Sequence, residues 1–172
     1  MVIETERLLL REMTDDDFHA LYEVLSNPNI MQHYPYAFDE DRVRSWIKRN
    51  VQRYRELGFG LWAVCLKNSG EVIGDCGLTM QLINCEIRPE IGYHIRADKQ
   101  RKGYAKEAAI AVRDWTFNNT PFNIVYSVMK YTNEASAKTA MSYGCRQVDE
   151  FADAINEITK VFAISRDEWI GR

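Results

Sequence analysis

The sequence predicts a mixed α/β domain, of the α/β class with α+β character, in which helices cover both faces of a mixed sheet. Strand-like segments over 59–67, 71–81 and 86–96 follow one another with little room for a helix between them, which indicates an antiparallel meander. After Gly103 the pattern changes, and helical periodicity alternates with short β-rich runs. Of the 172 residues, 46% are hydrophobic and 27% are charged, which is sufficient for one core. We therefore expect a single domain over residues 1–172.

The elements before this meander are a strand and two helices. Residues 2–11 alternate apolar and polar positions, as a half-buried strand does. Thr14 precedes three aspartates, which is typical of a helix start, and the helix that follows ends near Pro28. A second helix begins near Asp39 and carries an apolar stripe as far as Gly58, its expected C-cap.

The elements after the meander are two helices and two strands. The first helix starts after Gly103 and has small and apolar residues on one face. A β-rich run covers 123–129, and a short helix over 133–143 ends at Gly144. The last strand lies near 158–165.

Charge and composition exclude several classes of protein. The 22 Lys+Arg and 25 Asp+Glu residues give a net charge of −3, which argues against binding nucleic acid over the whole surface. No apolar run approaches the ~20 residues that a membrane span needs, and the first residues lack the basic and apolar regions of a signal peptide. We expect a cytoplasmic protein with no nucleic-acid partner and no membrane partner.

The four cysteines, at positions 65, 76, 85 and 145, have no close paired spacing. A disulfide framework is not expected in a chain with this much ordinary core, and a thiolate metal site needs closer pairs. We predict free thiols packed as small hydrophobes, and no metal site.

The segment over 91–105 carries the clearest signal for chemistry. A strand ends there, a polar turn containing Gly103 follows, and a helix rich in small residues begins. The first turn of a helix leaves N–H groups unpaired and carries the positive end of the dipole, so it can bind a phosphate. The segment lacks the Walker and Rossmann patterns, and a solvated basic turn that caps a helix is the alternative.

The chain resembles the GNAT superfamily of acetyl-CoA-dependent N-acetyltransferases. Gln100-x-x-Gly103-x-Ala105 matches its Q/R-x-x-G-x-G/A signature. Further segments are similar, in order, to motifs of its ribosomal-protein N-terminal (alanine/serine) acetyltransferase-like branch. These segments are 4–11, 73–78, 90–93, 103–108, 133–136 with Gly144 closing the helix, and 166–169. Each match is weak by itself, and their shared register gives them weight.

The resemblance implies a GNAT-type sheet of six or seven mostly antiparallel strands, with a splayed strand pair that binds acetyl-CoA, the acetyl donor that leaves as CoA. Backbone groups along the splayed strand pair with the pantetheine amides, and the amide of Ile95 contacts the thioester oxygen. The amides over 101–105 hold the pyrophosphate. The residues that the resemblance assigns to the cofactor are Tyr93, His94, Ile95, Gln100, Arg101, Lys102, Gly103, Tyr104, Ala105, Asn133 and Ser136.

The same resemblance implies direct attack of a primary amine on the thioester. A protonated alkyl amine has a pKa near ~10.4, so a base must take its proton at neutral pH. Glu90 is the leading candidate for this base, and Glu86 is a weaker second candidate. An exposed strand carboxylate paired with Lys or Arg is the alternative reading of Glu90.

The proton donor departs from the commonest family pattern. Many members place a tyrosine seven residues after the asparagine, and that position is Ala140 here. The ribosomal-protein-like branch uses a serine near the sulfur instead, which corresponds to Ser136, so Ser136 is the leading candidate for the catalytic acid. Tyr143 is the nearest phenol, on a different side of the helix, and Cys145 stands where the motif has phenylalanine.

The acceptor pocket is expected from the loops over 26–40, 82–89 and 151–157. Tyr34 and Tyr36 are the candidate substrate-binding residues, together with Glu90, although the same aromatic residues could pack over the core. A protein or peptide N-terminus is the leading acceptor, and a polyamine, an amino acid or an antibiotic is the alternative. Because of Ala140, a non-catalytic acyl-CoA sensor also stays open, and the protein is expected as a monomer or homodimer.

Overall fold

The computed structural model describes residues 2–171. Its strands are β1 (Val2–Glu4), β2 (Leu8–Arg11), β3 (Leu61–Leu66), β4 (Val72–Ile83), β5 (Glu86–Ile95), β6 (Ile124–Lys130), β7 (Arg146–Asp153) and β8 (Glu157–Ser165). Its helices are α1 (Phe18–Leu25), α2 (Glu40–Leu57), α3 (Tyr104–Asn119), α4 (Glu134–Ser142) and α5 (Arg166–Ile170). The eight strands form one sheet in the order β1-β2-β3-β4-β5-β6-β8-β7.

The mixed, mostly antiparallel sheet with flanking helices is as predicted, but it has eight strands rather than six or seven. Residues 2–11 form two short antiparallel strands instead of one, because the chain turns between Glu4 and Leu8. Strand β7 lies at the sheet edge and is largely exposed, so it has no apolar alternation that a sequence could reveal.

Helices cover both faces of the sheet, as β3 illustrates. Its residues Trp62, Val64 and Leu66 belong to the core shared with α3 and α4, which includes Ala108, Val112 and Ala140. Its alternate residues Leu61, Ala63 and Cys65 belong to a second core with α1 and α2, which includes Leu21, Leu25, Val43 and Ile47. The period of two along a strand therefore divides the apolar residues between two helical layers.

Strands β4 and β5 form a long antiparallel hairpin with register pairs from Gly74↔Ile95 to Ile83↔Glu86. The chain reverses at Asn84 and Cys85, whose φ angles are +47° and +67°. This turn leaves Cys85 exposed, whereas Cys65, Cys76 and Cys145 are buried as expected. None of the four cysteines forms a disulfide within residues 2–171.

Strands β5 and β6 run parallel and separate almost at once. They share one register pair, Glu90↔Tyr126, and α3 makes the crossover between them. Strand β6 instead pairs with β8 along its length, from Ile124↔Ser165 to Lys130↔Thr159. The end of β5 beyond Glu90 is therefore open on this side, as in the splayed strand pair that the family resemblance implies.

No helix within residues 2–171 has the length and apolar character that crossing a lipid bilayer requires.

Two facing glycines of the hairpin give a matched test of this packing. A Cβ at Gly77 would lie 2.1 Å from the Gly60 carbonyl oxygen and 2.6 Å from the Leu61 Cα, whereas a Cβ at Gly92 would meet only Leu61 Cδ2 at 3.7 Å. We expect Gly77→Ala to lower the free energy of unfolding by about 3 kcal/mol or more, because backbone atoms cannot yield. Gly92→Ala should change it by less than about 1 kcal/mol. Urea denaturation of both variants measures the difference, and equal losses would contradict this account.

Candidate active site

A cleft of about 780 Å³ opens where β5 leaves β6. One wall is the end of β5, the other is the start of α4, and the start of α3 lies at its base. The loop between α1 and α2 contributes a third side. Among the residues that line it are Tyr34, Tyr93, His94, Ile95, Gln100, Arg101, Gly103, Tyr104, Ala105, Asn133 and Ser136.

The base of the cleft is a turn that presents free amides. Arg101 and Gly103 have φ angles of +58° and +83°, and Gly103 is the N-cap of α3. The amides over 101–106 donate to no acceptor within residues 2–171. Lys99 is ion-paired with Glu71, whereas the exposed Lys106 forms no ion pair within the described part of the chain. Free amides, the helix dipole and positive charge together suit an anion.

A clamp between the segment that joins β1 to β2 and helix α3 fixes this turn from behind. The Arg7 guanidinium donates to Glu107 Oε2 at 2.6 Å and to the Lys102 carbonyl at 2.9 Å, and it lies over the Tyr104 ring. Thr5 Oγ1 and the Arg7 amide also donate to Glu107. Burial alone would raise the pKa of Glu107, but these hydrogen bonds outweigh it and lower the pKa. The carboxylate therefore stays charged and holds the turn in place.

The open edge of β5 is closed by side chains at two points. Ser127 Oγ donates to the Ile91 carbonyl at 3.2 Å, and Gln100 Nε2 donates to the Ile95 carbonyl at 2.9 Å. The main chain of Tyr93 lies between these two bonds, facing the cleft. Buried main-chain groups need partners, so this stretch can pair with an extended ligand that carries amides.

The two walls of the cleft are tied together. The Tyr93 hydroxyl donates to the Ser136 carbonyl at 3.0 Å, which joins β5 to the first turn of α4. Asn133 is the N-cap of α4, and its Oδ1 accepts from the Ser136 amide at 3.1 Å. The side chain of Ser136 is half-buried at the cleft wall.

Glu90 lies deeper along β5, outside the set of residues that line the cleft. It is four residues before His94 on the same face of the strand, or about 13 Å along it. Burial raises the pKa of its carboxyl group to about 7, against a weak hydrogen bond from the Val128 amide and the positive charges of His94 and Arg53. A carboxylate with this pKa can accept a proton near neutral pH.

A series of four hydrogen-bonded side chains, here called the polar chain, runs from α2 over β4 and β5 to the loop beside the cleft. It consists of Trp46, Asp75, His94 and Tyr34. Trp46 Nε1 donates to Asp75 Oδ2 at 2.9 Å, and Asp75 Oδ1 lies 2.7 Å from His94 Nδ1. His94 Nε2 lies 2.8 Å from the Tyr34 hydroxyl. Asp75 is fully buried and His94 is 7% exposed, whereas the Tyr34 ring is exposed.

The polar chain changes the acidity of its members. Burial lowers the pKa of His94, but the charge and hydrogen bond of Asp75 outweigh burial, so the net pKa is raised. Burial of the Tyr34 hydroxyl, with the negative charges of Glu90 and Asp75, raises the pKa of the phenol. His94 thus lies in the cleft wall, and its two ring nitrogens contact Asp75 and Tyr34.

The structure leaves several expected residues outside the cleft. Tyr36 stacks on Arg42, and the Lys102 carbonyl is bound by Arg7. Glu86 is exposed and pairs with Arg88 at 2.7 Å. Tyr143 is 1% exposed, and its hydroxyl has no hydrogen-bond partner among residues 2–171.

Sequence reasoning missed Asp75, Trp46 and the clamp of Arg7 on Glu107. Asp75 had a detectable signal, because it is a lone carboxylate inside an otherwise apolar strand and such a charge needs a partner. Trp46 lies on the apolar stripe of α2, a pattern that by itself predicts only core packing. The partner of Glu107 is 100 residues away in sequence, so no local pattern could reveal it.

Comparison with known proteins gives a family-model match and related chains. A model of the acetyltransferase (GNAT) domain matches residues 7–146. The uncharacterized protein YkkB of Bacillus subtilis (strain 168) is 34% identical over 141 residues, which are 81% of this chain and 82% of that protein.

Solved structures share the fold over nearly the whole chain. An acetyltransferase (GNAT family) from Bacillus anthracis has a TM-score of 0.84 and 24% identity, and the match covers 97% of this chain and 99% of that one. RimL, described as a ribosomal L7/L12 alpha-N-protein acetyltransferase in complex with coenzyme A, has a TM-score of 0.81 and 18% identity. That match covers 98% of this chain and 99% of RimL.

The raised pKa of Glu90 predicts a pH-dependent effect on stability. Between an ordinary pKa near 4.5 and the folded pKa of about 7, the folded state binds more protons than the unfolded state, so stability falls as pH rises. Glu90→Gln removes this loss. Relative to wild type, we expect it to gain about 2–3 kcal/mol of stability between pH 5 and pH 8.

Urea denaturation at both pH values measures this gain. His94 also loses its stabilising contribution as pH rises through its raised pKa, but it does so in both proteins. Glu86→Gln, on the same strand but exposed, is the control and should change stability by less than about 1 kcal/mol at either pH. A pH-independent effect of Glu90→Gln would contradict the raised pKa of this partly buried carboxyl group.

Proposed function

Because this chain belongs to the GNAT acetyltransferase family, we propose that it transfers the acetyl group of acetyl-CoA to a primary amine by direct attack within a ternary complex. Members of this family are acetyl-CoA-dependent acetyltransferases. We further propose a protein or peptide N-terminus as the acceptor. The observation that carries the proposal is the cleft at the open edge of β5, with the free amides of α3 at its base.

The chemistry of the cleft fits this donor from one end to the other. The amides over 101–105, turned inward by the left-handed Arg101 and Gly103, would hold the pyrophosphate. The main chain at Tyr93 would pair with the amide-bearing arm of the donor. Asn133 and Ser136 would line the opposite wall, near the sulfur. The Ile95 amide would face the thioester oxygen.

Glu90 supplies the base in this proposal. An alkyl ammonium group has a pKa near ~10.4, so the amine needs a proton acceptor before it can attack. The Glu90 carboxyl, with its pKa of about 7, is half in the charged form at neutral pH. At its depth along β5 it would act through water. The proton that it takes passes on to solvent after each cycle.

The acceptor class rests on coarser support. RimL, which has the same fold, is described as acting on the N-terminus of a ribosomal protein. That description motivates the choice of peptides with free N-termini as the first acceptors to test. Polyamines, amino acids and amine-bearing antibiotics form the second panel.

Acetyl-CoA should raise the melting temperature of this protein, and ATP and NADH should not. At a hundredfold excess over Kd, binding stabilises by roughly 2.7 kcal/mol, or about 5–10 °C for a domain of this size. Release of thiol is then measured with peptides that have free or acetylated N-termini, and with the second panel. Binding without thiol release from any amine would favour a non-catalytic sensor, and no melting shift would remove the cofactor assignment.

Two glycines with the same backbone conformation isolate the pyrophosphate contact. Gly103 has φ +83° and ψ 2°, and Gly58, the C-cap of α2 outside the cleft, has φ +77° and ψ 2°. Alanine is strained at both positions, so both variants should lose about 1 kcal/mol of stability. Gly103→Ala should also weaken CoA binding by about tenfold or more, because it shifts the amide cradle. Calorimetric titration with CoA checks this, and equal affinities in the two variants would contradict the cradle.

A further inference from the structure

The Tyr34 hydroxyl is held at the cleft by a short series of hydrogen-bonding groups. The Trp46 indole can only donate, so Asp75 Oδ2 accepts from it. With an Nδ1–H on His94, Asp75 Oδ1 accepts from that nitrogen, and Nε2 faces the Tyr34 hydroxyl at 2.8 Å. The order of the polar chain follows from these roles.

The charge state of His94 decides what Tyr34 can do. As an imidazolium, His94 donates from Nε2 to the Tyr34 oxygen, and the hydroxyl proton is free for an acceptor in the cleft. The groups that face His94 are Asp75 from β4, Glu90 from β5 and Tyr34 from the loop, and α2 contributes the uncharged Trp46. These groups include two carboxyl groups, Asp75 and Glu90, and no cation. Their negative charge favours the imidazolium form of His94.

We propose that Tyr34 is a catalytic proton donor of the acetyl transfer and that His94, Asp75 and Trp46 are the positioning residues behind it. This inference rests on the proposed function. As the C–S bond breaks, its electron pair stays on sulfur, and the Tyr34 hydroxyl gives its proton to that sulfur. The Nε2 proton of His94 moves to the Tyr34 oxygen. His94 is left neutral, with its Nδ1 proton toward Asp75, and regains a proton from solvent.

The polar chain supplies the proton that the Tyr34 phenol, with its raised pKa, would not give up by itself. A phenol has a pKa of about 10 and a thiol about 8.5, so a thiolate does not readily take a proton from an isolated tyrosine. With the imidazolium behind it, the net transfer runs from His94 to sulfur and is downhill for any imidazolium pKa below about 8.5. The neighbours of Ser136 are Tyr93 and Asn133, so no imidazolium stands behind its hydroxyl in the described part of the chain. Tyr34 and Ser136 are therefore distinguishable donors on opposite walls of one cleft.

The first experiment measures the thiol pKa of bound CoA and needs no acceptor. Thiolate absorbance is recorded against pH as the difference between the CoA complex and the free protein. In wild type, the bound thiol should have a lower pKa than free CoA, and Tyr34→Phe should raise it by about 1 unit. Ser136→Ala should leave it unchanged. Tyr22→Phe, whose ring stacks on Phe18 away from the cleft, is the matched control.

The second experiment separates catalysis from binding. With the fastest acceptor, Tyr34→Phe should lower kcat by about 100-fold and change the KM for acetyl-CoA by less than about threefold. The fall of kcat at high pH, which reports loss of the His94 proton, should disappear in Tyr34→Phe and His94→Gln. It should persist in Ser136→Ala. A Tyr34→Phe enzyme with the kcat and pH profile of wild type would overturn the inference.

The third experiment follows the imidazole of His94 by NMR in the free protein. Asp75→Asn should lower its pKa. Because Asp75 is fully buried, a substitution there can prevent folding, so Trp46→Phe serves as a milder second change, which should also shift the titration. An unchanged His94 pKa in both folded variants would contradict the polar chain.

The proposed function and this inference fail in different ways. If wild type bound no CoA, the proposed function itself would fail. If wild type bound CoA and turned over, and Tyr34→Phe changed neither, only this inference would be refuted.

Discussion

The candidate site depends on the unequal pairing of β5. One edge of this strand is bonded to β4 along its length, and the other edge meets β6 at Glu90 alone. Unpaired backbone in a fold interior is unfavourable, so the open edge must be satisfied in some other way. Side chains of Ser127 and Gln100 close it at two carbonyls, and a ligand can complete the stretch between them. Parallel strands that diverge thus create both the space and the chemical demand for a bound molecule.

The alternation of side chains along β5 divides the work between two faces. Tyr93 and Ile95 turn toward α3 and α4, and the free amides at the start of α3 are suited to an anion. Glu90 and His94 turn the other way, among carboxylates and toward α2 and the loop that carries Tyr34. One strand therefore separates a region suited to negative charge from a region that holds titratable side chains. In the proposed reaction, the bond that breaks would lie where the two regions meet.

The sequence revealed most of the fold because most elements carry local signals. The helix from Glu40 to its C-cap Gly58, and the strands of the meander, follow apolar periods and turn residues that can be read directly. Strand β7 was not predicted, because an exposed edge strand has no alternation of apolar and polar residues. At the site, the family motifs predicted that Gly103 and Asn133 contact the cofactor. They could not reveal the partners of His94 and Glu107, since these arise from contacts between residues distant in sequence.

The hairpin turn at Cys85 has a practical consequence for spectroscopy. Its thiol is exposed at the end of the strand that carries Glu90 and His94, while the other three thiols are buried. A maleimide dye or a nitroxide label would therefore react at one place in the native protein without prior engineering. The label would lie at the turn of the β4–β5 hairpin, at the opposite end of the hairpin from the cleft. It offers a view of hairpin motion during turnover that leaves every residue of the cleft in its natural form.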